Sequence, residues 1–347
     1  MNKDRFGELD ALRGIAAFLV MIAHYTEHYR LLYGHNFSPE YDIFFGYYGV
    51  HLFFMISGFV IIVTASNVRS SKEFIIKRFA RLYPVFWIAM TITFIITRLY
   101  NLPGRIVSLK NYFLNLTMVP KLLGGLPVDG AYWTLACEIL FYALVAIIIA
   151  TGNLKRLTAI CCVWLSLIYV DYFFNLPSTL DTYLNLPYGS YFIAGILFYK
   201  LKNETINSKL AYALLAATYV IALLHDGKLI GTAMISILYL LFFLFVKGRL
   251  SFIKIPVLVF LGSISYTLYL VHQNIGYVII HALKIRYPEF SSSVLIIIPS
   301  VIAALLLAYL LHKFFELNLQ KMILKALLPQ KSNKQAIQKE STTVQTA

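Results

Sequence analysis

Apolar residues run through the chain in long stretches, and short polar or basic segments separate them. A helix that crosses the bilayer core needs roughly 20 mostly apolar residues. Ten stretches approach or exceed that length, over 8–28, 47–66, 83–99, 131–150, 157–174, 187–201, 209–225, 229–246, 256–281 and 293–314. The sixth is short and the seventh ends in Leu224-His225-Asp226, so these two carry the weakest pattern. No fixed-length repeat is visible, and no matched pair of interrupted helices marks an inverted-repeat transporter. The pattern predicts an all-α membrane protein, a polytopic bundle of about ten transmembrane helices forming one domain over residues 1–328. From Pro329 the sequence turns polar, and a disordered cytoplasmic tail is expected over 329–347.

The loops orient this bundle. With the N-terminus in the cytoplasm, twenty-one of the 30 Lys and Arg residues fall in inner segments and eight in outer ones, with Arg13 left inside a span. That asymmetry obeys the positive-inside rule and puts both termini in the cytoplasm. A missed or extra helix would invert half the loops. The expected location is the inner (plasma) membrane. The longest outer segment, 100–130, holds Gly104, Gly124-Gly125, Pro127 and Gly130 around an apolar stretch from Tyr112 to Val119. That stretch is expected to return part of the way into the membrane.

Composition agrees. Apolar residues make up 59% and charged residues 13%, against roughly 45–50% and about 25% in soluble domains. The net charge of +14 is explained by the inner loops, so no nucleic-acid partner is expected. Cys137, Cys161 and Cys162 lie inside apolar runs, with no disulfide or metal-ligand spacing. No phosphate loop, zinc-protease helix or serine-hydrolase elbow is present in the sequence. The first apolar run lacks a small-residue cleavage site and reads as a retained helix.

Ionisable residues inside spans are costly, roughly 2.5–3.5 kcal/mol each for Arg, Lys or Asp, and so point to function by default. In LDALRGIAAFLVMIAHY, Arg13 and His24 are eleven residues apart, which puts them on one helix face about 16 Å apart along the axis. They are two stations along one path, unless Arg13 snorkels to the headgroups and His24 makes a buried structural contact. Glu138, in WTLACEILFY, needs a partner, and His24 at similar expected depth is one; a structural pair is the alternative. A His–carboxylate pair suits a general base. Ser265, Tyr269 and His272 form a stripe at i, i+4 and i+7 that lines a substrate path or holds helices together. His51 begins the second span, where an interfacial or partner-bonding role is expected. Between the second and third spans, Arg78 and Arg81 are i, i+3 neighbours whose guanidinium forks suit phosphate oxygens; ordinary positive-inside charge is the plainer reading.

Five stretches, LDALRGIAAFLVMIAHY, GVHLFFMISGFVI, RFARLYP, WTLACEILFY and SISYTLYLVH, occur in this order. Together they resemble the integral-membrane acyltransferase family three, whose members O-acylate bacterial surface sugars. The resemblance covers about 7–316. It implies transfer of an acyl group, acetyl being the commonest, from cytoplasmic acyl-CoA as co-substrate, with no permanently bound cofactor. The acceptor implied is a hydroxyl on an extracytoplasmic or membrane-linked sugar, such as an exopolysaccharide or O-antigen. Membrane lipids and a glycan or glycolipid acceptor are the implied partners. The family's functional Arg, His and R-x-x-R fall on Arg13, His24, Arg78 and Arg81. A Glu-Pro pair common at the end of the family's last helix is absent here, since Leu317 and Asn318 follow Glu316, and Glu316 is expected to be structural. No fused hydrolase-like domain is expected.

These lines predict that Arg78, Arg81 and Arg13 hold the donor while His24, oriented by Glu138, removes the proton of the acceptor hydroxyl. An acyl-histidine intermediate fits equally well. A proton-coupled transporter or exporter is the competing reading.

Overall fold

The computed structural model describes residues 6–328, and their regular elements are all helical. The expected tail over 329–347 lies outside these residues. Ten long helices follow the expected order. They are α1 (Gly7–Ala23), α2 (Tyr48–Ser66), α3 (Ser71–Leu99), α4 (Trp133–Ala150), α5 (Leu157–Phe174), α6 (Leu186–Lys202), α7 (Ser208–Asp226), α8 (Leu229–Val246), α9 (Pro256–Arg286) and α10 (Ile298–Leu311). Two of them run on through π-helical turns. α1 continues through His24–His28 into Tyr29–Tyr33, and α10 continues through His312–Glu316 into Leu317–Leu327.

Among the described residues, eight helical stretches are long and apolar enough to cross a membrane; α6 and α9 are not among them. α6, at 17 residues, is short, and the polar composition of α9 follows from its position. α9 packs against α1, α3 and α10, and α6 against α2, α5 and α7. A helix enclosed by protein can carry polar groups that lipid would exclude. α9 uses this freedom, burying Ser265, Thr267, His272, Gln273 and Asn274. The chain is a multi-pass membrane protein with an all-α core.

Two glycine contacts set the closest approaches. A Cβ on Gly262 of α9 would collide with the backbone of Asp10 in α1, and one on Gly195 of α6 with the backbone of Met55 in α2. Without a hydrophobic drive between helices in lipid, small residues at crossings allow the close packing that holds them.

α3 starts well before residue 83, where the sequence pattern placed it. Ser70 caps it, accepting the Glu73 N–H at 3.2 Å, and Glu73 pairs with Lys77 at 2.6 Å. Capping and an i, i+4 pair carry the helix through the charged stretch. Pro84 is accommodated in its interior. Arg78 and Arg81 therefore sit on a helix rather than in a loop. The end of the bundle that bears Lys77, Lys200 and Lys254 is called here the basic end; Lys254 bridges to Glu8 at the start of α1 at 3.1 Å.

At the opposite end, segment 100–130 folds over the bundle. It forms a short helix, Leu109–Asn115, and two 3-10 turns. Asn115 is its buried clamp, donating to Asn111 O and Leu126 O and accepting from Val128 N. Its apolar stretch lies along α3. Tyr83 donates to Thr117 O at 3.1 Å, and Trp87 to Leu116 O at 2.9 Å. Tyr83 lies sixteen residues before the end of α3 at Leu99, about 24 Å along the axis. The segment thus reaches back toward the middle of the bundle. Asp129 fixes its end to α9, accepting the Asn274 N–H at 3.0 Å and the Ala131 N–H at 2.9 Å.

Candidate active site

Two cavities open between α1, α2, α3, α4 and α9. The first, about 340 Å³, is lined at the basic end by Arg13, Arg78, Arg81, Glu138 and Tyr142, with Gln320 from the helix after α10. The second, about 490 Å³, lies toward the opposite end and is lined by His24, His28, His51, Tyr47, Arg105 and Gln273. Val50 and Tyr269 line both.

The arginines of the first cavity come from two helices. Arg13 projects from α1 beside the Gly14–α9 contact, and Arg78 and Arg81 come from α3. Arg78 donates to Thr64 Oγ1 at 3.2 Å, and its Nε is buried with no partner. Arg81 is paired with Glu316 at 2.8 Å, and the other oxygen of Glu316 lies 2.6 Å from His312 Nδ1. The π-helical turn at His312–Glu316 aims Glu316 inward, where its side chain is fully buried. Glu316, for which a structural role was expected, thus stands against an arginine that lines the cavity. Glu138 sits beside Ser57 and Tyr142, in the field of Arg13 and Arg78.

Glu138 does not orient His24. A buried carboxylate gains more from two guanidinium groups than from a neutral imidazole, and the arginines lie on its side of Tyr269. His24 is held instead by Val20 O, 2.8 Å from Nδ1, and by His272, whose Nε2 stands 3.2 Å from the same Nδ1. His272 Nδ1 faces the carbonyls of Tyr269 and Leu268 at 3.0 and 3.2 Å. A carbonyl only accepts, so each Nδ1 carries its proton. His272 Nε2 then shares the His24 Nδ1–H with Val20 O, and His24 Nε2 keeps a lone pair with no hydrogen-bond partner among the described residues.

The stripe on α9 divides its labour. Ser265 lines the arginine cavity while donating to Gly262 O at 2.8 Å. Tyr269 stands between the cavities, its hydroxyl 2.9 Å from Ala131 O and 2.7 Å from Thr134 Oγ1. His272 backs His24 rather than lining either cavity. His51, for which an interfacial or partner-bonding role was expected, lines the histidine cavity, and its buried Nδ1 has no hydrogen-bond partner among the described residues.

Sequence reasoning missed His28, Arg105 and Gln273. His28 lies 2.6 Å from Tyr277 OH and 3.3 Å from Gln273 Nε2. The signal for it was the His24-x-x-x-His28 spacing at the very end of the first span. The π-helical turn that begins at His24 is a further marker, since such turns are frequent at functional sites. Arg105 comes from the long outer segment, where charge counting alone gave it no role.

Comparison with known proteins identifies the family. The family described as "Acyltransferase domain" matches residues 6–313. ORF330 of Acidianus two-tailed virus, provisionally named an acetyltransferase, is 26% identical over 290 residues, covering 78% of this chain and 84% of its own. The exopolysaccharide production protein ExoZ of Rhizobium meliloti (strain 1021) is 26% identical over 253 residues, 69% of this chain and 77% of its own. Nodulation protein 10 of Rhizobium leguminosarum bv. viciae is 31% identical over 154 residues, 38% of this chain and 41% of its own. No solved structure matches significantly. The chain is an enzyme, a multi-pass membrane acyltransferase, and it belongs to the integral-membrane acyltransferase family three.

Proposed function

We propose that the enzyme moves an acyl group, acetyl in the first instance, from cytoplasmic acyl-CoA to a sugar hydroxyl on the far side of the plasma membrane. The observation that carries this reading is the pair of cavities, one arginine-lined at the basic end and one histidine-lined at the other, with Val50 and Tyr269 common to both. The positive-inside rule assigns the basic end to the cytoplasm. ExoZ, an exopolysaccharide production protein, supports a glycan acceptor.

In this reading the phosphates of acyl-CoA dock on Arg78, Arg81 and Arg13, where guanidinium groups offer paired donors. The acylated arm extends past Tyr269 to the histidine cavity, along the face that carries Ser265. His24 Nε2 takes the proton of the acceptor hydroxyl as its oxygen bonds to the thioester carbonyl carbon. The tetrahedral intermediate collapses, the C–S bond breaks, and the CoA sulfur leaves with the proton from His24. Val20 O and His272 together keep that proton traffic on Nε2 by holding Nδ1–H. Glu138 lies too far into the arginine cavity to serve as the base in this scheme. It balances the charge of Arg13 and Arg78 instead.

The test is release of free CoA by the purified enzyme supplied with acetyl-CoA and a candidate oligosaccharide, with mass analysis of the sugar. An acyl ester formed in step with CoA supports the reading. Movement of the sugar across vesicles without CoA release would replace it with transport.

A further inference from the structure

Arg105 is a cation in a cavity of bases, and the donor side does not use it. It lines the histidine cavity together with His24, His28 and His51. Its guanidinium lies against Gly130: a Cβ there would stand 3.3 Å from Arg105 Nη1 and 2.9 Å from the Gln273 amide. Tyr33 is its hydrogen-bonding neighbour. No ion pair to Arg105 occurs among the described residues. Asp129, the carboxylate in its field, has both oxygens taken by the N–H groups of Ala131 and Asn274.

An unneutralised guanidinium near a base that must accept a proton works against that base. The arrangement makes sense when negative charge arrives with the substrate. Position decides which substrate. His28 is one turn beyond His24, and Tyr33 is further along the same helix, so Arg105 stands on the side remote from the arginine cavity. It faces the acceptor's approach rather than the thioester. We propose that Arg105 anchors an acidic group of the acceptor, with Tyr33 and Gln273 completing the pocket, so that a hydroxyl of the same molecule reaches His24 Nε2. The acid is either a carboxylate on the sugar or the diphosphate of a lipid carrier. Both offer the oxygen pair that a guanidinium fork binds. This inference rests on reading the histidine cavity as the acceptor site.

The test is equilibrium binding to the purified full chain, with no acyl donor present. Three probes are titrated: a glucuronic-acid disaccharide, its methyl ester, and farnesyl diphosphate. Wild type is expected to bind an anionic probe at least about tenfold more tightly than the ester, and Arg105→Gln to lose that preference. Arg105→Lys, which keeps the charge, retains part of it, and an unchanged unfolding temperature in both variants separates lost binding from lost fold. Preference for the disaccharide places the acid on the sugar, and preference for farnesyl diphosphate places it on a carrier. The proposal is overturned if no anionic probe is preferred by wild type, or if Arg105→Gln keeps the preference. Because no acyl donor takes part, failure here leaves the acyl-CoA reading standing. Failure of CoA release would leave this binding result standing in turn.

Discussion

His272 Nε2 accepts from His24 Nδ1–H across 3.2 Å, and this contact leaves His24 Nε2 as the basic nitrogen of the histidine cavity. The pair joins α1 to α9 at the level where the first helix becomes π-helical. A second hydrogen bond from the same Nδ1 to Val20 O restricts the ring further. The ring nitrogen that carries the proton is set by what the other parts of the ring touch.

Replacing His272 should therefore lower turnover without weakening donor binding. His272→Phe removes one of the two acceptors of the Nδ1 proton; Val20 O at 2.8 Å still holds the tautomer, so the ring loses part of its orientation rather than its protonation state. We expect kcat to fall by roughly tenfold, with KM for acetyl-CoA unchanged. His272→Gln, which can still accept, should recover part of the loss. Steady-state kinetics on both variants, with the donor varied, read this directly. A rise in donor KM with unchanged kcat would assign His272 to binding instead.

The Arg81–Glu316–His312 cluster predicts the opposite split. Glu316→Ala leaves Arg81 without its 2.8 Å partner. Arg81 is one-third exposed and can rehydrate, so the cost stays below the roughly 3–5 kcal/mol of breaking a fully buried pair, and the unfolding temperature should drop modestly. Arg78→Lys spares the fold but loses the paired donors that suit a phosphate, and KM for acetyl-CoA should rise about tenfold while kcat holds. Thermal unfolding followed by tryptophan fluorescence checks the first, and initial rates check the second.

Gly262 offers a test of packing alone. Any side chain there must displace the backbone of Asp10. Gly262→Leu should separate α1 from α9 and prevent a monodisperse preparation. Gly104 lies in a surface turn with no atom within 4 Å of a would-be Cβ, but at φ +68. Gly104→Ala should cost only about 1 kcal/mol from backbone strain. Size-exclusion profiles of the two variants make the comparison.

Asp129 gives a pH dependence. Burial pushes its carboxyl from 3.8 up to about 6, although two backbone N–H bonds and Arg105 pull the other way. A raised folded value means the fold favours the protonated acid. The stability it contributes is full below about 3.8 and is lost as pH rises through about 6. The free energy of unfolding should decline across that window, and Asp129→Asn should flatten the decline. Stability that instead rises from pH 4 to 6 through this group would reverse the assignment.

The order and number of long helices were legible because lipid leaves only the helix as a way to satisfy backbone groups, and apolar runs mark it. α6 was found by the same count although it is only 17 residues long, and α9 although it is polar, since it packs against three other helices. The start of α3 was not legible from hydropathy. Its first turns are charged, and the signal was the Ser70–Glu73 cap. The partner of His24 was misread for a physical reason. Depth along a span constrains two axial positions but says nothing about which helices adjoin. Glu138 and His272 were both within the plausible range, and only packing put His272 on the neighbour of α1. Arg105 was invisible because a loop arginine carries no periodicity; its place depends on Asn115 and Asp129 folding segment 100–130 back onto α3 and α9.

The account stands on His24 as the group that moves the proton. The direct measurement is CoA release by His24→Ala, purified at the same yield as wild type, with acetyl-CoA and an oligosaccharide that wild type acetylates. Loss of both CoA release and the sugar ester, with acetyl-CoA binding retained, is the predicted result. Ester formation at the wild-type rate would contradict it.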